Sequence, residues 1–494
     1  MKRYKLPQRY AALDLGAESG RVVVGAYDGS ALLLDVVHRF ANIPVRTQTG
    51  LHWDVRGLFA EAITGLREAG PIAGVGVDAW GCDYALLDEA GSMLGEPFHY
   101  RDSRTKSISE RAFAILPKEE LYARTGIHHL QFNTLFQLLA YTEAGGSVDR
   151  AERIALIPDL LSYWLTGVLV NEATVASTTG MTDVTRRAWD RTLIQRFGLP
   201  AAPFTHGLVE PGYVVGEVDP EFGLHAAPVV RAAAGHDTAA AFAAAPVSSP
   251  EAGIISCGTW SLVGVELDRP CVGGDAAAAC LSNEWGIDGT TRLLRNVMGL
   301  WLLQECRRQW ALESAASIDY QHLQLLAGAV SDSVPVFDPN LDLFLEPGDM
   351  PARVQAVCRE TGQARPEGRA ELIRSILLSL ACAYRAAFDD LRRVSGRSID
   401  TVHILGGGAL NAVLCQLTAD VVGVPVLAGP IEAAAIGNIL IQLRAAGALD
   451  SREEMRACVA RSFAPVVYEP SGGSTDYARF LSLTAGRGRV SAHA

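Results

Sequence analysis

The sequence has no CxxC pair among its nine cysteines. Scattered thiols in an odd number argue against a disulfide framework and for reduced cysteines in a cytosolic protein. No run of about 18 uncharged apolar residues occurs, so no membrane-spanning helix is expected. The basic start, MKRYKLPQRYAALDLG, lacks the apolar stretch and cleavage site of a signal peptide, and a cytoplasmic location is the expectation. Positive charge is in deficit. The 43 Lys and Arg face 55 Asp and Glu, for a net charge of −12, which argues against a broad nucleic-acid surface. A GxxxxGK[ST] loop is missing, which argues against a P-loop enzyme, and no GxGxxG stands between a strand and a helix. A local phosphate site built from backbone amides survives these exclusions, because it needs no net charge.

What is present is a globular chain of 494 residues, 49% hydrophobic and 20% charged. That length predicts two domains of roughly 200–250 residues each. The stretch YAALDLGAESGRVVVGAYDG reads as strand, glycine turn, strand, and ALLLDVVHRF (31–40) as a third strand. A helix follows, with Asp54 as its cap and Val55, Leu58, Phe59, Ala62, Ile63 and Leu66 on one face. IAGVGVDAW (72–80) is apolar enough for a buried strand. The pattern restarts near residue 250. AGIISCGTWSLVGVELDRP (252–270) is again strand, turn, strand. A long helix (about 367–394), a buried strand (401–408), a helix, a short strand (424–429) and a helix from near Glu432 come later. Two related α/β halves are expected, 1–245 and 246–494, with PVSSPEAG as the loop between them.

The two glycine turns carry chemistry. Amide N–H groups in such a turn can converge on one anion. The first turn holds Gly16, Ala17, Ser19 and Gly20, with Arg21 as a fixed charge and Asp14 at the strand end. Asp14 is a candidate Mg²⁺ ligand, directly or through water. The second turn offers Gly258, Thr259 and Ser261 in the matching place. GGGALN (406–411) opens a helix after a buried strand, where glycines admit a phosphate or a planar ligand close to the backbone. AGHDTAAAFAAA (234–245) sets His236, Asp237 and Thr238 before an alanine-rich helix. Asp237 there is either a helix cap or a reactive carboxylate. Asp83 suits either a sugar hydroxyl or a strand turn. Arg101 and Arg104 read as structural, Trp80 and Trp301 as core, and Cys257 as a small buried residue.

Together, DLGAESGR, SCGTWSL, GGGALN and GHDTAAA resemble the FGGY family of carbohydrate kinases. The likeness runs from about residue 10 to residue 445. VDAWGCDYALLD, YRDSRT, QFNTLFQL, RNVMGLWLLQ and GPIEAAAIGNILIQL support it, and within the family they point to kinases of L-rhamnulose. The resemblance implies an α/β fold of two actin-like (ribonuclease H-like) ATPase domains with an interdomain active-site cleft. It places the sugar and the first hairpin in 1–245 and the nucleotide side in 246–494. It implies ATP-dependent phosphorylation of L-rhamnulose at the 1-hydroxyl in L-rhamnose catabolism, by a monomer or homodimer. L-fuculose, L-xylulose or L-ribulose are alternative substrates, and a non-enzymatic actin-like nucleotide switch is the alternative of another class.

Carried onto this sequence, the resemblance makes Asp237 the general base. Ala17, Glu18, Ser19, Gly20, Arg21, Thr259, Gln304 and Gly407 would line ATP. Gly81, His236, Asp237, Thr238 and Asn296 would contact the ketose, and Asp14 would sit near Mg²⁺. Ala79 and Cys82 stand where threonine and valine are expected, and Gly235 where serine is common, which bears on sugar fit. The first ten residues and the tail after about 465 have no functional counterpart. A helix N-terminus favours a carboxylate by about 0.3–1 kcal/mol, so Asp237 is expected to stay ionised as a weak base.

Overall fold

The computed structural model describes residues 8–225, 227–314, 319–330, 333–472 and 475–484. Strands β1 (Gln8–Leu15), β2 (Ser19–Tyr27) and β3 (Leu32–Ala41) form the expected antiparallel meander. Helix α1 (Val55–Glu68) then crosses back, and β4 (Gly74–Ala79) lies parallel to β1. The Asp54 carboxylate caps α1 by accepting the Gly57 amide at 2.9 Å. Strands β5 (Val214–Glu217) and β6 (Val229–Arg231) complete a six-stranded sheet in the order 5-6-4-1-2-3. Strand β4 is buried throughout and β1 from Tyr10 onward, which is why, their aspartates apart, they read as apolar runs without alternation.

The second half repeats this plan. Strand β7 (Ala252–Cys257) turns into β8 (Trp260–Leu267), with β9 (Ser282–Trp285) and β10 (Thr291–Met298) extending the meander. Helix α4 (Trp301–Ser314) and the long α5 (Gly368–Ser395) follow. Strand β11 (Thr401–Leu405) returns parallel to β7. After α6 (Ala412–Val422) come β12 (Val426–Ala428), parallel to β11, and β13 (Val466–Tyr468), an antiparallel edge. The order is 9-10-8-7-11-12-13. Apart from β9, each half is a meander, two parallel strands and an antiparallel edge strand.

Two helices fill the seam. Helix α3 (Asp237–Ala243) packs on α7 (Ala433–Ala445), and the alanines permit the close approach. Gly437 is required there, because a Cβ would run into the Ala240 carbonyl. Phe242, Ile436, Ile439 and Leu440 join Tyr10, Val23, Ile254 and Leu405 in one core drawn from both sheets. Although α7 belongs to the second half of the sequence, it also reaches the first sheet: Gln442 Nε2 donates to the Ala11 carbonyl at 2.9 Å. Between β4 and β5 the chain builds a separate lobe, with helix α2 (Thr134–Glu143) in it and a core of its own around Leu86, Phe136, Leu156 and Trp189. That lobe walls one end of the cleft described next.

Candidate active site

A cleft of about 350 Å³ opens between the two sheets. Both glycine turns border it, as do the loop before α3, the start of β11's following turn and the head of α7. The turn geometry is tight: Gly16 N donates to Ser19 O at 2.9 Å, and Gly258 N to Trp260 O at 2.8 Å. Asn42 straps the first turn by donating to Gly16 O at 2.9 Å. Of the residues expected at the nucleotide, Ala17, Glu18, Ser19, Arg21, Thr259, Gln304 and Gly407 line the cleft. Gly20 does not. It is buried under Phe40, whose ring would meet any added Cβ. Gln304 Oε1 and Asn296 Oδ1 are buried without a partner among the described residues, as expected of atoms that await a ligand. Around Gly407 a Cβ would meet nothing within 4 Å, so the glycine leaves open space. Arg21 is held by Asp14 Oδ2 at 2.8 Å and by Glu432 Oε2 at 2.8 Å.

Asp14 and Asp78 face each other across the parallel β1–β4 pair. Asp78 is fully buried and accepts from Asn438 of α7 at 2.6 Å. Its carboxyl is held well above the ordinary range by burial first, then by repulsion from Asp14, with Asp237 adding more. Asp14 lines the cleft with Oδ2 on Arg21.

Asp237 is the first residue of α3, one position inside the expected cap, and His236 takes the cap position. The contacts described for Asp237 all meet Oδ1: Thr238 N donates at 2.6 Å and Thr238 Oγ1 at 3.1 Å, and His236 Nε2 lies 3.3 Å away. Oδ2 is therefore the oxygen left for a ligand. The expected acidifying effect of the helix does not prevail. The Asp237 pKa is raised, chiefly because the cleft walls remove it from bulk water and also through Asp14, while His236 and Thr238 oppose the rise. The loop is anchored from behind. Gly235 N donates to Glu172 Oε2 at 2.9 Å, and His236 N to Thr174 Oγ1 at 3.3 Å. Burial pushes the Glu172 carboxyl up to about 7.

Gly81, His236, Thr238 and Asn296, expected at the sugar, border the same cleft. Both ring nitrogens of His236 are turned to protein groups. Asp83 resolves as structural. It is buried and accepts from Trp53 Nε1 (2.6 Å), Trp80 Nε1 (3.0 Å), Tyr100 N (3.1 Å) and Gln137 Nε2 (2.7 Å). Arg101 bridges to Leu345 O at 2.6 Å beneath Trp301, and Arg104 donates to Gln137 at 2.7 Å. Trp80 is anchored to Asp83 yet also faces the cleft. Cys82, which the resemblance links to sugar fit, lines it too, as do Phe132, Asn133, Thr178, Ser282 and Glu284, which local sequence does not mark. Cys82 adopts a left-handed backbone, φ 71°, and its amide donates to Thr178 Oγ1 at 3.0 Å.

Residues 10–243 match the FGGY family of carbohydrate kinases, N-terminal domain, and residues 253–446 match its C-terminal domain. This chain belongs to the FGGY family of carbohydrate kinases. The family assignment makes it a phosphotransferase and implies ATP as co-substrate. A rhamnulokinase from Bacteroides thetaiotaomicron is 38% identical over 94% of this kinase and 96% of the relative. A rhamnulokinase from Pectobacterium atrosepticum is 40% identical over 96% of both chains. Among solved structures, gluconate kinase from Lactobacillus acidophilus superposes with a TM-score of 0.76 at 16% identity, covering 98% of this chain and 99% of its own. Xylulose kinase from Rhodospirillum rubrum gives 0.74 at 18% identity, over 97% and 99%. At those identities the likeness speaks for the fold, a two-domain sugar-kinase architecture of the actin-like ATPase class. No helix among the described residues is long and apolar enough to cross a membrane.

Proposed function

We propose that this carbohydrate kinase transfers the γ-phosphoryl group of ATP to the 1-hydroxyl of L-rhamnulose, giving L-rhamnulose 1-phosphate in L-rhamnose catabolism. The reaction class is supported above all by one observation: a carboxylate with one engaged and one open oxygen borders the same cleft as two glycine turns. The choice of ketose rests on the rhamnulokinases that resemble the chain over nearly its full length. Phosphoryl transfer needs an aligned hydroxyl and a neutralised phosphate, with water kept out. Asp237 Oδ2 is the group that accepts the hydroxyl proton as attack proceeds. Thr238 holds Oδ1, so the base cannot rotate away. Gly81, Asn296, Thr238 and the edge of His236 bound the ketose. Ala17, Glu18, Ser19, Arg21, Thr259, Gln304 and Gly407 bound the nucleotide, with Gly20 supporting the turn from beneath.

Mg²⁺ fits Asp14. Among the described residues the cleft-facing carboxylate is engaged through Oδ2, and a cation that keeps its waters and takes phosphate oxygens needs few protein ligands. When bound, the ion would neutralise the charge on the phosphates. A reducing cytoplasm suits the buried thiols of Cys82, Cys257, Cys306, Cys358, Cys382, Cys415 and Cys458.

ADP release across L-rhamnulose, L-fuculose, L-xylulose and L-ribulose tests the reading. The highest kcat/KM is expected for L-rhamnulose, with the phosphate on C1 by phosphorus NMR. A higher value on another ketose would overturn the substrate, and no sugar-dependent turnover on any of them would overturn the reaction.

A further inference from the structure

Behind the base lies a buried charge pair that the reaction so far leaves unused. Glu284 and Arg292 are register partners on the antiparallel strands β9 and β10, in the half of the chain opposite to Asp237. Arg292 Nη2 lies 3.0 Å from Glu284 Oε2, and the arginine side chain is completely buried. Both groups converge on His236 Nδ1, each at 3.2 Å. Arg292 Nε is fixed by the Trp285 carbonyl at 3.1 Å, so the guanidinium cannot swing away.

The donor and acceptor count then selects the form of the imidazole. A guanidinium can only donate, and an ionised carboxylate can only accept. If Nδ1 accepts from Arg292, Nε2 carries the proton and faces Asp237 Oδ1 as a donor. The other neutral tautomer would leave the Nε2 lone pair against the Asp237 carboxylate and set an Nδ1 proton against the arginine's own; the Nε2–H form leaves only Nδ1 beside Glu284 Oε2, and Arg292 Nη2 lies within 3.2 Å of both. The hydrogen-bond geometry from Arg292 to Nδ1 is the one satisfied. Glu284 balances the arginine's charge in its buried place, and Arg292 favours its ionised form against burial.

The geometry points to Arg292, backed by Glu284, as a positioning residue. By occupying Nδ1 it holds His236 in the Nε2–H tautomer, which engages Asp237 Oδ1 and leaves Oδ2 free for the ketose hydroxyl. The second half of the chain thereby orients a base carried by the first. Only the kinetic consequence rests on the kinase reading; the tautomer does not.

The test is nitrogen-15 NMR of ¹⁵N-histidine-labelled full-length protein at pH 8, with His236→Gln to assign the signal. An unprotonated Nδ1 and a protonated Nε2 are expected. A protonated Nδ1, in either the neutral ring or the imidazolium, overturns the proposal. The double variant Arg292→Met, Glu284→Gln removes both charges together, which avoids stranding one of them. It should populate the Nδ1–H form and lower kcat about tenfold to a hundredfold, with KM for the ketose within about threefold. Arg292→Lys, which keeps a donor, should recover part of that loss. An unchanged tautomer with unchanged kcat in the double variant overturns the proposal. If that variant fails to fold, the wild-type spectrum decides alone. If no ketose is turned over, the spectrum still reads the tautomer.

Discussion

The two halves share a sheet plan but differ at three register positions beside the cleft. In the first half, Asp14 at the end of β1 lies between Asp78 on β4 and Arg21 on β2. In the second half, Ser256 near the end of β7 lies between Leu405 on β11 and Leu262 on β8. One backbone thus carries a cluster of charge and the other a neutral wall. The acidic half holds the groups suited to a proton and a cation, including Asp237. At these register positions the second half supplies space and backbone amides, which suit an anion without repelling it. Duplication supplied the cleft, and a few side chains divided the work within it.

That contrast can be broken from either side. Asp14→Ser gives the first half the residue that the second half carries. It should lower kcat by roughly a hundredfold or more, with ketose affinity within about threefold, as measured by steady-state kinetics and calorimetry. Near-normal turnover would mean that the carboxylate is dispensable. Ser256→Asp makes the reverse exchange and places a negative charge beside the proposed phosphate path. KM for ATP should rise about tenfold, equivalent to about 1.4 kcal/mol, while kcat with saturating ATP changes little. An unchanged KM would move the phosphates away from β7.

The smallest effect is a shift in pH dependence. Asp237 must be ionised to accept a proton, and its pKa is raised by burial and by Asp14. The acid limb of kcat/KM should therefore lie above the usual aspartate range, with activity lost as pH falls through it. In Asp14→Ser the repulsion is gone, and the residual activity should lose its acid limb at a lower pH than the wild type.

Much of this layout was legible in the sequence, where the signal is local. Both hairpins announce themselves by short apolar runs around glycine, and Asp54 marks α1 because a cap acts three residues away. Asp237 stands out beside its histidine and threonine. What escaped depends on contacts across the chain. Arg292 reads as one charge in a strand until β9 and β10 bring it to His236, 56 residues earlier. Asp78 meets Asn438 over 360 positions. Gly20 looks like part of a phosphate turn, but its reason for being glycine is Phe40 on the neighbouring strand. The raised pKa of Asp237 escapes for the same reason: the helix end is visible in the sequence, but the loss of solvent around the carboxylate is not.

Asp237 is the group proposed to receive the ketose proton. Asp237→Asn keeps the shape and the hydrogen bonds to Oδ1 while removing the base. Rapid-quench single-turnover transfer from ATP to L-rhamnulose, with both bound at saturation, measures that step alone. The rate should fall about 10²–10⁴-fold while both ligands bind within about threefold of wild type. A transfer rate within threefold of wild type would contradict the account.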